Sequence, residues 1–209
     1  MRLKPICEPC QRHLNEQFEI PASPLLKAMM DGSAISLTAR ELVLVAGWSA
    51  KTALVLRLAD KDTEPYAAEV IRGYLGHMLK DATPPPNTTI RLGYLSDSLH
   101  RSHEGFLPPG WPDALDPHRG FFGLLAVPGF VCETIVGPAP VIRGFIDATK
   151  DDDRFVLIWP PQITGALWPP RGLLGPLDLE PLREAWDRTG KWTGNFPELN
   201  VTEYRARKR

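Results

Sequence analysis

Apolar positions follow two regimes along this chain. As far as residue 83 they recur at helical spacing. Beyond it they alternate, or run in short blocks set between prolines. In the first regime, Leu25, Leu26, Met29 and Met30 are spaced to bury one face. They predict one or two short helices over residues 11 to 30, broken at Pro21 and Pro24 and ended by Gly32. Thr38-Ala-Arg-Glu41 reads as a capping box, in which Thr38 accepts from the Glu41 amide while the Glu41 carboxylate reaches back. Leu37 and Leu42 sit where a hydrophobic staple would close. The run ELVLVAGWSAKTALVLRLAD that follows is apolar on nearly all sides. It could suggest a membrane span, but Lys51 and Arg57 lie well inside it, so it reads as a buried central helix. Thr63 and Pro65 open a third helix that ends near Lys80, with Val70, Ile71, Tyr74, Leu75 and Met78 as its buried stripe. Pro84-Pro85-Pro86 forbids further helix.

In the second regime, residues 88 to 95 alternate, with Ile90, Leu92 and Tyr94 on one face. Residues 121–127 and 130–136 flank Pro128-Gly129 as a hairpin. Residues 141–146 and 154–159 are two further candidate strands, and 96–119 is a long irregular loop. A last helix is predicted near Leu179 to Arg188, before a basic tail. The predicted fold is therefore α+β. A helical part, 1–83, packs on a strand-rich part, 84–209, in one compact unit with a mainly antiparallel sheet and a C-terminal helix.

Composition narrows the function classes. The chain has 209 residues, 43% of them hydrophobic, enough to bury a core. A net charge of -1 offers no broad basic surface for nucleic acid. Three cysteines do not make a disulfide framework, and a cytoplasmic setting without a membrane fits best. The opening MRLKPICEPC has no apolar run of the secretory kind.

Chemistry concentrates at Cys7-Glu-Pro-Cys10. Two thiolates at this spacing form half of a tetrahedral site, and zinc is the metal that suits them. His13, one helical turn beyond Cys10, is a candidate third ligand. A redox pair and two unpaired thiols are the alternatives. His100, His103, Glu104 and His118 form a second cluster, able to ligate a metal or act as a base if 100–104 makes a helical turn. The alternative is a solvated polar loop. Gly47-Trp-Ser49-Ala-Lys51 lacks the final glycine of a nucleophile elbow. Lys51, in so apolar a helix, requires a carboxylate or carbonyl partner or a cleft to emerge into. Asp151-Asp152-Asp153 reads as an acidic turn before a strand rather than a cation site. Trp159-Pro-Pro161 and Trp168-Pro-Pro170 read as packing segments, or else as a groove for a peptide-like ligand. No phosphate-binding glycine motif occurs.

The order CEPCQRHLNEQFE, PLLKAMMDG, LTARELVLVAGWSAKTALVLRLAD and the late WPP repeats resembles a family of bacterial and phage HNH-endonuclease-like proteins. The resemblance is strongest over residues 7 to 60 and weaker over 154 to 187. Family members read C-x-x-C-N-N-x-W-M-S-x-L-E in the first segment and W-A-x-K-T-A in a later helix. Trp48-Ser-Ala-Lys51-Thr52-Ala53 is close to the second motif. In the first, Gln11 and Leu14 stand in place of the asparagine and tryptophan. Full-length members carry upstream a further cysteine pair and a Glu-His whose histidine activates water beside a divalent metal. This chain is expected to begin after that segment. The resemblance implies Cys7 and Cys10 as zinc ligands and transfers no catalytic residue.

Three functions follow. One is a degenerate, non-catalytic relative of HNH-like nucleases that binds a protein or nucleic-acid partner. Another is an active metal-dependent endonuclease, with ligands drawn from His100, His103 and His118, completed by a dimer, or lost with a truncated start. The third is an unrelated structural or binding protein.

Overall fold

The computed structural model describes residues 6–59, 65–96, 101–106, 121–137, 139, 142, 143, 146, 152–161, 164–175 and 178. The chain opens with α1 (Glu8–Leu14), a π-helical segment (Asn15–Glu19) and α2 (Ile20–Met30), which run on without a break. The interruption expected at Pro21 and Pro24 does not occur. In the π segment the amide of Ile20 reaches back to the Asn15 carbonyl. The change of register that follows puts Pro21 in the first turn of α2, where its missing donor costs little. Leu14, Phe18, Ala22, Leu26 and Met29 form one buried stripe through all three segments. Leu25 and Met30 are only partly buried.

β1 (Ile35–Thr38), a strand the sequence pattern did not predict, leads into α3 (Ala39–Ala59). The capping box forms as expected. The Thr38 amide and hydroxyl both donate to Glu41 Oε2 at 2.7 Å. The Glu41 amide approaches Thr38 Oγ1 at 3.4 Å. These bonds, the one from the Thr38 backbone foremost, hold the Glu41 carboxyl below its ordinary pKa. Leu37 and Leu42 are both buried. By length and composition α3 could cross a membrane, but here it is the axis of the core. α2 and α4 (Pro65–Asp81) pack on it from one side and a sheet from the other. Ile71, Leu75 and Met78 are the buried stripe of α4.

Five strands form that sheet in the order β3-β4-β5-β2-β6, every neighbouring pair antiparallel. They are β2 (Thr88–Gly93), β3 (Arg101–Phe106), β4 (Phe121–Val127), β5 (Phe130–Val136) and β6 (Phe155–Trp159). The predicted hairpin joins β4 to β5. Gly129 takes φ +76° there, and its Cα lies so close to the Met30 carbonyl that no side chain fits. β7 (Gly165–Trp168) leaves the sheet and pairs with β1. The architecture is α+β, helices against antiparallel strands, as the patterning predicted.

Two expectations change. The long loop of 96–119 contains β3, whose sequence RSHEGF shows none of the apolar alternation that marks a strand. Of the strand predicted over 141–146, the described residues Ile142, Arg143 and Ile146 are helical. Ile142 and Ile146 stand four apart, the spacing of one helix face. The helix predicted at 179–188, together with His100 and His118, lies outside the described residues.

The two faces of the sheet differ. Toward α3 it presents Ile90, Leu92, Phe130, Cys132 and Val136, all buried in the common core. On the other face, one register row runs Leu124, Glu133, Arg91, Leu157, and its central ion pair is almost fully enclosed.

Candidate functional site

Cys7 is the N-cap of α1. Its extended backbone turns the sulfur over the first turn, where it accepts from the Cys10 amide at 3.2 Å. The two Cα atoms stand 5.3 Å apart and the side chains are joined as a disulfide. Cys7 is exposed and Cys10 partly so. His13 is also exposed, one turn further on. Among the described residues, no group of three or more His, Cys, Asp or Glu side chains is placed to hold a metal ion. The third cysteine, Cys132, is free and buried. Burial pushes its thiol up to about 11, against weaker opposing contacts from Ser49 and Thr134, so it stays protonated and inert.

The helical turn that the loop cluster would need is not present over the described residues 101–104, nor is that stretch an irregular loop. His103 and Glu104 belong to β3, opposite Leu124 and Gly123 of β4. A strand does not set residues three apart on one face as a helix does.

Lys51 finds the partner its burial demands. Its ammonium meets the Glu19 carboxylate, which projects from the π-helical segment and stays half exposed. One turn earlier, Gly47 lets the Phe18 ring lie against the backbone of α3, and an added Cβ would collide with that ring. Ser49, the nucleophile of the incomplete elbow, donates to the Val45 carbonyl at 2.8 Å inside the core. Asp152 closes the acidic turn. It accepts from Arg154 Nε and Nη2, each at 2.8 Å. Burial raises the Asp152 pKa, but the Arg154 contacts outweigh that and leave it below its ordinary value.

A second site was not legible in the residue pattern. Between the end of α4, the Pro84–Pro86 turn and the helical residues Ala139, Ile142, Arg143 and Ile146 lies an open cleft of about 580 Å3. Pro84, Pro85 and Ile142 are buried in its base, and Trp159 with Pro160 forms a wall. At its edge, His77 Nδ1 lies 3.0 Å from Asp81 Oδ2, and Nε2 faces the Thr83 hydroxyl at 3.5 Å. Arg143 is exposed beside it. Thr88, 2% exposed, also lines the cleft, and its hydroxyl has no hydrogen-bond partner. Of the two Trp-Pro-Pro segments, the second is packing: Trp168 is buried and donates to the Met29 carbonyl at 3.0 Å. The first faces the cleft.

No family model, no curated protein and no solved structure matches the chain.

Proposed function

We propose that the chain is a non-catalytic relative of HNH-like nucleases, a helix-on-sheet scaffold that presents a two-cysteine clasp for binding. What supports this reading most is where the motif residues meet. Glu19 and Phe18 come from the first motif, at the positions of its final glutamate and leucine. Lys51 comes from the second motif and Gly47 immediately precedes it. Glu19 closes on Lys51, and Phe18 lies against Gly47. The resemblance is thus spent on fastening α3 to the N-terminal helix. That leaves Cys7 and Cys10 as the chemically equipped surface of this segment.

In the reduced state, the two thiolates supply half of a tetrahedral zinc site, steadied by the Cys10 amide on the Cys7 sulfur. The remaining two ligands then come from a partner, from residues outside those described, or from water. The test is metal analysis of the reduced protein, titrated with zinc against a chromogenic chelator. The reading expects one zinc per chain, lost in Cys7→Ser, and no magnesium-dependent cleavage of single- or double-stranded DNA. Cutting that disappears in His103→Ala would replace it with the active-nuclease reading.

A second reading has its own observation, the joined sulfurs of an exposed Cys7 and a partly exposed Cys10. Oxidation of the two thiols to this disulfide releases two protons and passes two electrons to an external disulfide, which leaves as two thiols. Thiol titration separates the readings. A redox pair gives two accessible thiols after mild reduction and none after oxidised glutathione, whether or not zinc is present. Cys132 reports only after denaturation.

A further inference from the structure

We infer that the cleft beside the triple-proline turn is a binding site for a small, flat carboxylic acid. Its size falls within the range of small-molecule sites, about 300–1,000 Å3. Its base and one wall are rings: Pro84, Pro85, Trp159 and Pro160. Rigid rings give up almost no conformational freedom when a planar body slides between them. The polar lining residues are His77, Thr83, Asn87, Thr88 and Arg143. Arg143 supplies a cation at the rim, and among the described residues no acidic side chain lines the space. An anion there would find a guanidinium that it can engage with both oxygens.

A buried hydroxyl without a partner is uncommon, because its lost hydration goes uncompensated. Thr88 is such a group and it lines this cleft. With its oxygen enclosed, Thr88 is part of the cleft's wall and not a ligand contact. His77, held by Asp81 and facing Thr83, closes the edge with an oriented imidazole. A flat apolar body with a carboxylate at the rim satisfies the rings and the cation together.

The test uses isothermal titration of the full chain with three probes of one shape: 2-naphthoate, the neutral 2-naphthalenemethanol, and 2-naphthylmethylammonium. Wild type is expected to bind 2-naphthoate at one site per chain and at least tenfold more tightly than the alcohol. Arg143→Ala should weaken 2-naphthoate about tenfold and the alcohol less than twofold. Arg143→Glu should reverse the preference in favour of the ammonium probe. Arg143 is exposed, so both variants keep the fold, and a far-ultraviolet circular dichroism melt verifies it. Ala139→Trp, which fills the cleft from its helical side, should abolish binding of all three probes. Absence of saturable binding to wild type overturns the inference. So does equal binding of the three probes, or 2-naphthoate binding that survives both Arg143→Glu and Ala139→Trp.

Discussion

The pair most exposed to a decisive test is Arg91 and Glu133 on the sheet face away from α3. Their side chains are 4% and 1% exposed, and Arg91 Nε donates to Glu133 Oε2 at 2.8 Å. Both ions have left water, at a cost of several kcal/mol each. Their attraction at about 4 Å and an effective dielectric of about 20 returns ~4 kcal/mol. The attraction does not exceed the two desolvation costs, so the pair as a whole stabilises little while each half depends on the other. The two halves differ. Glu133 Oε1 has no hydrogen-bond partner, so Arg91→Met strands a carboxylate with neither oxygen satisfied. Arg91, by contrast, lies 4.3 Å over the Phe155 ring and within the field of Asp152. Glu133→Leu therefore leaves a cation with residual support.

Single variants are expected to lose about 3–5 kcal/mol, with Arg91→Met the more damaged. The double variant should fall within about 1–2 kcal/mol of wild type, because two apolar side chains replace two desolvated ions. Urea unfolding followed by circular dichroism, with unchanged m-values, measures the cycle. Losses that simply add in the double variant would refute the reasoning, as would a Glu133→Leu more damaging than Arg91→Met.

Further expectations follow from single contacts. Gly47→Ala improves intrinsic helix propensity, yet it drives a methyl into the Phe18 ring, so a net loss of about 1–3 kcal/mol is expected in urea unfolding. A gain would show that the ring moves aside freely. Lys51→Met should change stability by no more than about 1 kcal/mol, since the Glu19 it abandons is half exposed and rehydrates. A folded variant that loses a partner would instead mark Lys51 as part of a site. Asp152 has a folded pKa below its unfolded value near 3.9, so its contribution is complete above about pH 5 and fades as the pH falls through the folded value. Asp152→Asn should cost about 1 kcal/mol at pH 7, and that deficit should shrink toward zero in melts taken down to pH 2. A deficit independent of pH would assign the loss to packing.

Much of the fold was legible because local rules and burial agree over several elements. Thr38 and Glu41 fix the start of α3 by bonds that span three residues. Pro128-Gly129 sets the hairpin, since only a residue tolerant of positive φ turns there. The stripe of Ile71, Leu75 and Met78 declares its own face. These signals are short-range, and a sequence carries short-range information directly.

What the sequence could not declare depends on partners far along the chain. β1 and β7 are strands because residues 35–38 and 165–168 lie opposite one another. β3 is a strand because β4 offers it hydrogen bonds, though its own residues carry no alternation. Pro21 promised a break that the π turn absorbs, and Pro24 lies inside α2 without ending it. The cleft gathers residues from α4, a proline turn, the helical residues Ala139, Ile142, Arg143 and Ile146, and the end of β6, whose common position no local pattern records. The amino-acid sequence by itself determined the helices α3 and α4 and the β4–β5 hairpin, and placed two cysteines at one helix head. Only the tertiary structure decided that Lys51 faces Glu19, that Arg91 lies buried against Glu133, and that prolines, a tryptophan and an arginine enclose one space. The physical reason is that secondary structure is chosen over a few residues, whereas charge pairing and concavity arise only when distant segments are packed against one core.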